Sequence, residues 1–368
     1  MYRMWHLRAW SGMTVTIWWR ALWRNRFRIH PTRVPMVAII TLISLLNSAL
    51  ALVQRLLYRR RIEATPIVED PVFVLGHWRS GTTLMQELLV CDPRHAAPDT
   101  YSCFAPNHFL LTEPMLSRLL GLLLPSHRPM DNVPMSWDQP QEDEWALCNM
   151  GLPSPYLTML FPNRPPQDPG YLDLRGIPTA DRERWKAGLA WFLKSVTLRN
   201  PRRMVLKTPL HTARVQTLLE MFPKARFVHV VRDPYVIFPS TMHTWRQLYR
   251  FEGVQAPRFA GLEEHVLDTF DRMYAAFEED VRRLPPSQFC ELRFEDLVRD
   301  MPGQMRRVYR QLELGDFEPV APAVAAYAAK TAHYQRNRYQ IDEETRNRIG
   351  RRWRGYIEKY GYTNGSGG

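Results

Sequence analysis

The sequence predicts an α/β protein: a P-loop-like parallel sheet flanked by helices, with an N-terminal membrane-associated helical segment. Three observations carry this expectation. Short apolar runs (PVFVLG at 71–76, RMVLK at 203–207, RFVHVVRD at 226–233, FCELRFEDL at 289–297) have strand length and alternate with stretches of helical spacing, the pattern of βαβ units. The first run leads into GHWRSGTT, residues 76–83, whose glycines and paired threonines have the spacing of a phosphate loop. Residues 34–53, VPMVAIITLISLLNSALALV, carry no charge, and twenty helical residues span about 30 Å, the thickness of a bilayer's hydrocarbon core.

The N-terminal segment, residues 1–62, explains the charge. It holds eleven arginines, no lysine and no acidic residue before Glu63, so it supplies nearly all of the net +12. A nucleic-acid binder would spread its basic charge over a domain, so no nucleic-acid partner is expected. A basic, greasy segment suits an anionic membrane instead. WSGMTVTIWWRALW at 10–23 adds tryptophans that favour the membrane interface. Arg24, Arg26, Arg28 and Arg33 flank one side of the apolar run and Arg55, Arg59, Arg60 and Arg61 the other, so positive charge does not choose an orientation. Thr41, Ser44, Asn47 and Ser48 weaken the run. A spanning helix, an in-plane or re-entrant hairpin, and a helix packed on the protein itself all remain open.

The catalytic domain is expected at 63–368, and its strands and helices begin at Pro71. GTTLMQELLVC (81–91) reads as the helix after the first strand, and HTARVQTLLEMF (211–222) as an amphipathic helix after the second. Residues 92–180, rich in proline and aromatic residues with little periodicity, read as an acceptor-site insertion or lid. Cys91, Cys103, Cys148 and Cys290 have no metal-ligand or redox spacing and read as free thiols, which favours a cytoplasmic catalytic domain. The sequence is compatible with an oligomer but does not require one.

In GHWRSGTT the glycines permit a tight turn, backbone N–H groups face a bound anion, and the following helix adds its dipole. Ser80, Thr82 and Thr83 add hydroxyl donors. Thr82 stands where an ATP-binding loop has lysine, and the positive charge sits at Arg79, whose guanidinium fork suits phosphate or sulfate oxygens. A second anion site is expected from HVVRDPYVIFPS (229–240), with Arg232 at a strand end and Ser240 two turns into the next helix. Two phosphate sites at two strand ends suggest a nucleotide phosphorylated at both ends of its ribose.

This pair of motifs resembles the sulfotransferases that use 3′-phosphoadenosine 5′-phosphosulfate (PAPS). Arg79-Ser80-Gly81-Thr82-Thr83-Leu84 is similar to their 5′-phosphosulfate loop, in the RSGTTL form of tyrosylprotein and many bacterial members. Arg232 and Ser240 match the 3′-phosphate motif in type and spacing, and Phe294-Glu295-Asp296-Leu297 resembles the late Y/F-E-D-L strand segment. The resemblance covers residues 70–300 in register and, more loosely, the chain to 360. It implies PAPS as co-substrate, no metal, and in-line transfer of a sulfuryl group to an acceptor hydroxyl. Such transfer needs cations on the leaving phosphate and a base for the acceptor.

Arg79 is the first cation. Lys207, ending a strand in VLKTPLH, matches the family's lysine in a K-x-P context. His211, one turn on, would orient phosphate or substrate, or simply start a helix. For the base, PQEDEWAL (140–147) offers Glu142 first and Glu144 second, near a helix N-terminus with Pro140 in its first turn. Asp99, in the region where tyrosylprotein members carry a glutamate, is the runner-up. HYQRNRY (333–339) or RRWRG (351–355) would cover the 3′-phosphate, with Arg336 and Arg338 preferred. The aromatic residues Tyr101, Phe104, Phe109, Trp137, Trp145, Tyr156 and Phe161 suit a lipid, glycolipid or other small-molecule acceptor, or ordinary core. Two other readings stay open: a P-loop kinase of a small alcohol, which lacks its lysine and magnesium aspartate here, and a nucleotide-binding membrane adaptor without activity.

Overall fold

The computed structural model describes residues 7–116, 135–332 and 339–362. The chain forms two compact units. A sheet unit comprises Asp70–Ala96, Arg203–His243 and Gly261–Gly368, and a helical unit comprises Met1–Glu69, Ala97–Arg202 and Thr244–Ala260.

In the sheet unit five parallel strands run in the order β2-β3-β1-β4-β5, where β1 is Val72–Leu75, β2 His95–Ala96, β3 Arg203–Lys207, β4 Arg226–Val231 and β5 Phe289–Arg293. β1 is buried along its whole length, as an unbroken apolar run between two helical layers must be. Val72, Val74, Val205, Val228 and Val230 pack with Leu88, Leu89, Met305, Val308 and Leu312 on one face. Phe73 points to the other face, where it stacks on Phe227 at 5.5 Å. Each fully buried valine or leucine stabilises the fold by about 1.5–3 kcal/mol. The strand order reverses direction between β1 and β4, and in open parallel sheets ligands bind beyond the carboxyl ends at such a reversal.

Two expected boundaries move. The fourth strand stops at Arg293, and Phe294-Glu295-Asp296-Leu297 opens the Phe294–Arg299 helix instead of lying in a strand. Glu295 and Asp296 occupy the first turn, where carboxylates favour helix initiation. The 211–222 helix is two pieces, Pro209–Ala213 and Val215–Met221, divided at Arg214. The two-residue strand β2 had no signal in the sequence.

In the helical unit the Val34–Ala64 helix is the one helix among the described residues long and apolar enough to cross a membrane. Antiparallel to its first half runs the Val15–Arg24 helix, with Val15 N donating to Ser48 Oγ and Trp18 Nε1 to Thr41 Oγ1. Of the tryptophans expected at a membrane interface, Trp10 and Trp18 are instead fully buried in the protein; Trp19 and Trp23 are exposed. Trp10 packs edge-on against Trp145 at 5.4 Å, and its indole N–H donates to the Glu252 carbonyl. Trp145 in turn lies 4.8 Å from Tyr156, and Tyr101 5.3 Å from Trp137, so several of the aromatic residues singled out above pack against one another.

Candidate active site

The first anion cradle is built where β1 ends. Gly76 has φ 144°, and a Cβ there would lie 2.5 Å from Ser80 Oγ and 2.9 Å from the Val230 carbonyl oxygen. Gly81 has φ 104° and abuts Phe294 so closely that a Cβ would fall 2.2 Å from its ring. Only glycine fits these two positions. Arg79 between them adopts φ 68°, a left-handed conformation that costs a non-glycine residue about 1–3 kcal/mol and is held by its surroundings.

Those surroundings are hydrogen bonds. Gly76 N donates to Thr212 Oγ1 at 2.8 Å, Ser80 N to the His77 carbonyl at 3.1 Å, and Thr241 Oγ1 to the Trp78 carbonyl at 3.3 Å. His77 is wholly buried, and burial pushes its pKa down to about 4 against the opposing pull of the Trp78 carbonyl, so the ring beside the loop is neutral. Gly81 starts the Thr82–Val90 helix with no side-chain cap. Ser80 Oγ is buried with no hydrogen-bond partner among the described residues. A buried orphan hydroxyl at an uncapped helix N-terminus fits an anion's oxygen atoms.

The second cradle lies beyond β4 and is tied directly to the first. Arg232 Nη1 donates to the Arg79 carbonyl at 2.7 Å, and Arg79 Nε donates to Ser240 Oγ at 3.0 Å. Phe294 supports both motifs: it walls Gly81, and the Arg232 guanidinium lies 4.3 Å above its ring. The Tyr356 hydroxyl sits 3.2 Å from both the backbone N and O of Arg232, fixing the turn. Thus Arg79, Ser80, Gly81, Thr82, Thr83, Arg232 and Ser240 converge in the sheet unit.

Lys207 closes β3 opposite Val74 of β1, and its side chain is buried. His211 is buried edge-on against Phe73, 5.3 Å away, in the Pro209–Ala213 turn. Sequence reasoning missed Thr212, Thr241 and Tyr356, which hold the loop and Arg232; nothing in their local sequence marks them.

The carboxylates belong to the helical unit. Pro140, expected in the first turn of a helix, instead pairs with Asp99 in an isolated bridge; the helix is Asp143–Asn149, with Glu142 as its N-cap residue. A glutamine and a glutamate separate Pro140 from that helix, and Gln141 N bonds the Pro98 carbonyl, which keeps the chain extended. Glu142 accepts from the Tyr156 hydroxyl and Glu144 from Ser154 Oγ, each at 2.5 Å. Asp99 caps the Thr100–Phe104 helix by accepting from Ser102 N at 2.8 Å and pairs with Arg199 at 2.9 Å. Arg336 and Arg338 lie outside the described residues. In the alternative RRWRG stretch, Arg352 pairs with Asp268 and Asp271, Arg354 pairs with Glu358, and Trp353 stacks on Phe270 at 3.9 Å.

A parallel sheet with a glycine loop after β1, joined by hydrogen bonds to the turn after β4, is the geometry the sulfotransferase resemblance predicts. The chain belongs to the sulfotransferase family, whose signature matches residues 71–319. It is 45% identical over 361 residues to the omega-hydroxy-beta-dihydromenaquinone-9 sulfotransferase Stf3 of Mycobacterium tuberculosis and to that of Mycobacterium bovis, covering 98% of this chain and 93% of each relative. Among solved structures, sulfotransferase STF9 from Mycobacterium avium superposes with a TM-score of 0.67 at 17% identity, covering 95% of this chain and 96% of that one. Sulfotransferase STF1 from Mycobacterium tuberculosis gives 0.62 at 18% identity, covering 92% and 90%. These two confirm the fold. The chain is therefore a sulfotransferase enzyme, and the kinase and silent-adaptor readings fall away. The family implies PAPS as the sulfate donor.

Proposed function

We propose that this chain transfers the sulfuryl group of PAPS to the hydroxyl of a membrane-soluble lipid alcohol, of the kind named for its relatives: a hydroxylated isoprenoid quinone. The observation that carries the donor assignment is the direct link between the two cradles, Arg232 to the Arg79 carbonyl and Arg79 to Ser240, at adjacent strand ends.

In this reading the Ser80–Thr83 turn and the helix N-terminus hold the 5′-phosphosulfate. Arg232 and Ser240, with Arg336 and Arg338, hold the 3′-phosphate. PAPS supplies an activated sulfuryl group whose leaving group is a phosphate. Arg79 and Lys207 offset the charge that builds on that leaving oxygen, which is where fixed cations lower the barrier most. His211 orients the phosphate side. A carboxylate, Glu142 before Glu144 and Asp99, takes the acceptor proton. Glu142 is only partly buried, whereas Glu144 is fully buried and Asp99 is paired with Arg199, which favours Glu142 as the carboxylate an alcohol can reach. The four free thiols fit a catalytic domain on the cytoplasmic side, with the N-terminal segment as its membrane attachment.

The test is transfer of labelled sulfate from PAPS to an ω-hydroxylated isoprenoid quinone in vesicles, against the unhydroxylated quinone and a panel of soluble alcohols. Labelled quinone appearing only with the hydroxylated lipid is the expected result. Label entering the soluble alcohols alone would overturn the acceptor, and no dependence on the 3′-phosphate of the donor would overturn the carrier.

A further inference from the structure

Most helices in a folded protein turn apolar side chains inward. The Val34–Ala64 helix does the reverse along its middle. Its buried stripe runs from apolar Met36 and Ile40 through polar Ser44, Asn47 and Gln54 to Ile62. Asn47 donates its amide N–H groups to the Ser11 and Met13 carbonyls at 2.6 and 3.0 Å, and its oxygen meets His108 Nε2 at 3.1 Å. Gln54 accepts from Leu111 N at 3.3 Å. The exposed stripe is Ile39, Leu42, Leu46, Val53 and Leu56, at helical spacing over about 25 Å, with Leu42 68% and Leu56 75% exposed. Among the described residues, every exposed large hydrophobic side chain lies between Trp19 and Val68. Clustering on that scale marks an interaction surface.

We propose that the helical unit docks onto an anionic phospholipid bilayer as a monotopic surface, with the Val34–Ala64 helix lying in the interface plane and not across the membrane. The inference rests on the membrane attachment proposed above and adds its geometry. Protein covers one side of the helix from Met36 to Ile62, and Lys194 Nζ reaches the Glu63 carbonyl at its end. A spanning orientation would carry that covering protein, with its polar groups, into the hydrocarbon. Lying flat, the same helix sinks only its exposed stripe to the acyl boundary.

Charge selects the occupant. Arg20, Arg26 and Arg28 at one end, and Arg55, Arg60 and Arg61 at the other, are exposed, and residues 1–62 contain no acidic side chain. A second copy of this face would set arginine against arginine; anionic headgroups neutralise it. Trp23, 75% exposed, and Trp19, 47% exposed, suit the headgroup depth.

The test uses the full chain in a Cys91→Ser background, spin-labelled singly at Leu42, Leu46, Val53 and Leu56 through cysteine substitutions. Vesicles of phosphatidylcholine with phosphatidylglycerol are compared with phosphatidylcholine alone. The proposal expects co-sedimentation at least about tenfold weaker without the anionic lipid, and all four labels at one shallow depth of about 5–10 Å. A Leu42→Gln, Leu46→Gln, Leu56→Gln triple variant should lose vesicle binding by about tenfold or more while binding adenosine 3′,5′-bisphosphate as before. A depth profile deepest at Leu46 and rising towards both ends would overturn the in-plane geometry while leaving attachment standing. Absence of vesicle binding, or labels shielded by self-association in its place, would overturn the attachment as well, independently of whether sulfate reaches a lipid.

Discussion

In the sheet unit the strands bury an unbroken apolar core, and Ser80, Lys207 and Ser240 are among the polar side chains buried beside it. In the helical unit the long N-terminal helix buries Ser44, Asn47 and Gln54 and leaves Leu42, Leu46 and Leu56 in the open. The first arrangement uses hydrophobic burial to fix a few charged groups for chemistry. The second uses hydrogen bonds to hold a helix whose exposed apolar side is, in the proposal above, the membrane-docking face. Buried polar groups therefore mean different things in the two units. In one they include the side chains proposed to hold the donor; in the other, Asn47 and Gln54 bond backbone groups of neighbouring segments and fasten an element in place.

The contrast breaks most easily at Arg79. If the sheet unit supplies the cationic chemistry, Arg79→Ala should lower kcat/KM for sulfate transfer by about 10³-fold, since it removes a charge-assisted fork and the bond to Ser240. Arg79→Lys should recover only part of this. Steady-state kinetics with PAPS, alongside circular dichroism to show the fold intact, check it; near-wild-type turnover in Arg79→Ala would remove the cradle from the mechanism.

The helical unit's contribution to chemistry is sharpened by its carboxylates. Glu142→Gln should reduce kcat by about 10²-fold with donor affinity unchanged, the signature of a lost base. Asp99→Asn should act differently. Asparagine keeps the helix cap but loses the ion pair with Arg199, so the change should cost about 1 kcal/mol or less in stability and leave kcat near wild type. If instead Asp99→Asn alone collapses kcat, the order of the candidates reverses.

Gly81 tests how far the cradle depends on backbone shape. At φ 104° and with Phe294 at 2.2 Å from a built Cβ, Gly81→Ala should destabilise the protein by about 2 kcal/mol and weaken adenosine 3′,5′-bisphosphate binding. Thermal denaturation with and without the nucleotide reads both effects. An alanine variant stabilised by nucleotide as strongly as the wild type would show that the turn tolerates a side chain.

The two units also differ in how much of them the sequence disclosed. β1, β3 and β4 were legible because a strand buried on both faces is an unbroken apolar run, and the cradle because glycines at Gly76 and Gly81 are needed where the backbone turns left-handed. Tyr356 was illegible: it reaches Arg232 from 124 residues away, and only folding brings them together. The Phe294–Leu297 segment reads as strand because it follows one without a break, yet its acidic pair starts a helix. In the helical unit the polar residues at 44, 47 and 48 weaken the apolar run by composition alone. Ser44 and Ser48 in fact bond carbonyls within their own helix, at Thr41 and Ser44, while Asn47 marks the side that faces the protein. Periodicity locates a stripe but does not say which side meets water, and here the usual assignment is inverted.

The smallest expected effect concerns the buried anchor of the N-terminal strand of chain in the helical unit. Glu252 accepts from Ala9 N at 3.1 Å, and the Arg8 guanidinium lies 3.7 Å over the neighbouring Phe251 ring. Burial pushes the Glu252 pKa up to about 7, with Arg8 and the Ala9 amide pulling it only partly back. A carboxyl whose folded pKa is raised stabilises the fold in its protonated form. That contribution is complete below the unfolded value near 4.5 and is lost as pH rises through about 7. Between pH 6 and 8 the loss is about 1 kcal/mol. His77 and His108, each held near 4 by burial, shift stability the other way as pH falls below their unfolded value, so the wild-type profile mixes the two signs. Glu252→Gln isolates the carboxyl: the difference in unfolding free energy between wild type and variant, from denaturant titrations at pH 6 and 8, should move by about 1 kcal/mol in the variant's favour. A difference that stays flat across that range would mean that Glu252 is already ionised in the folded helical unit, held as an ion pair by Arg8.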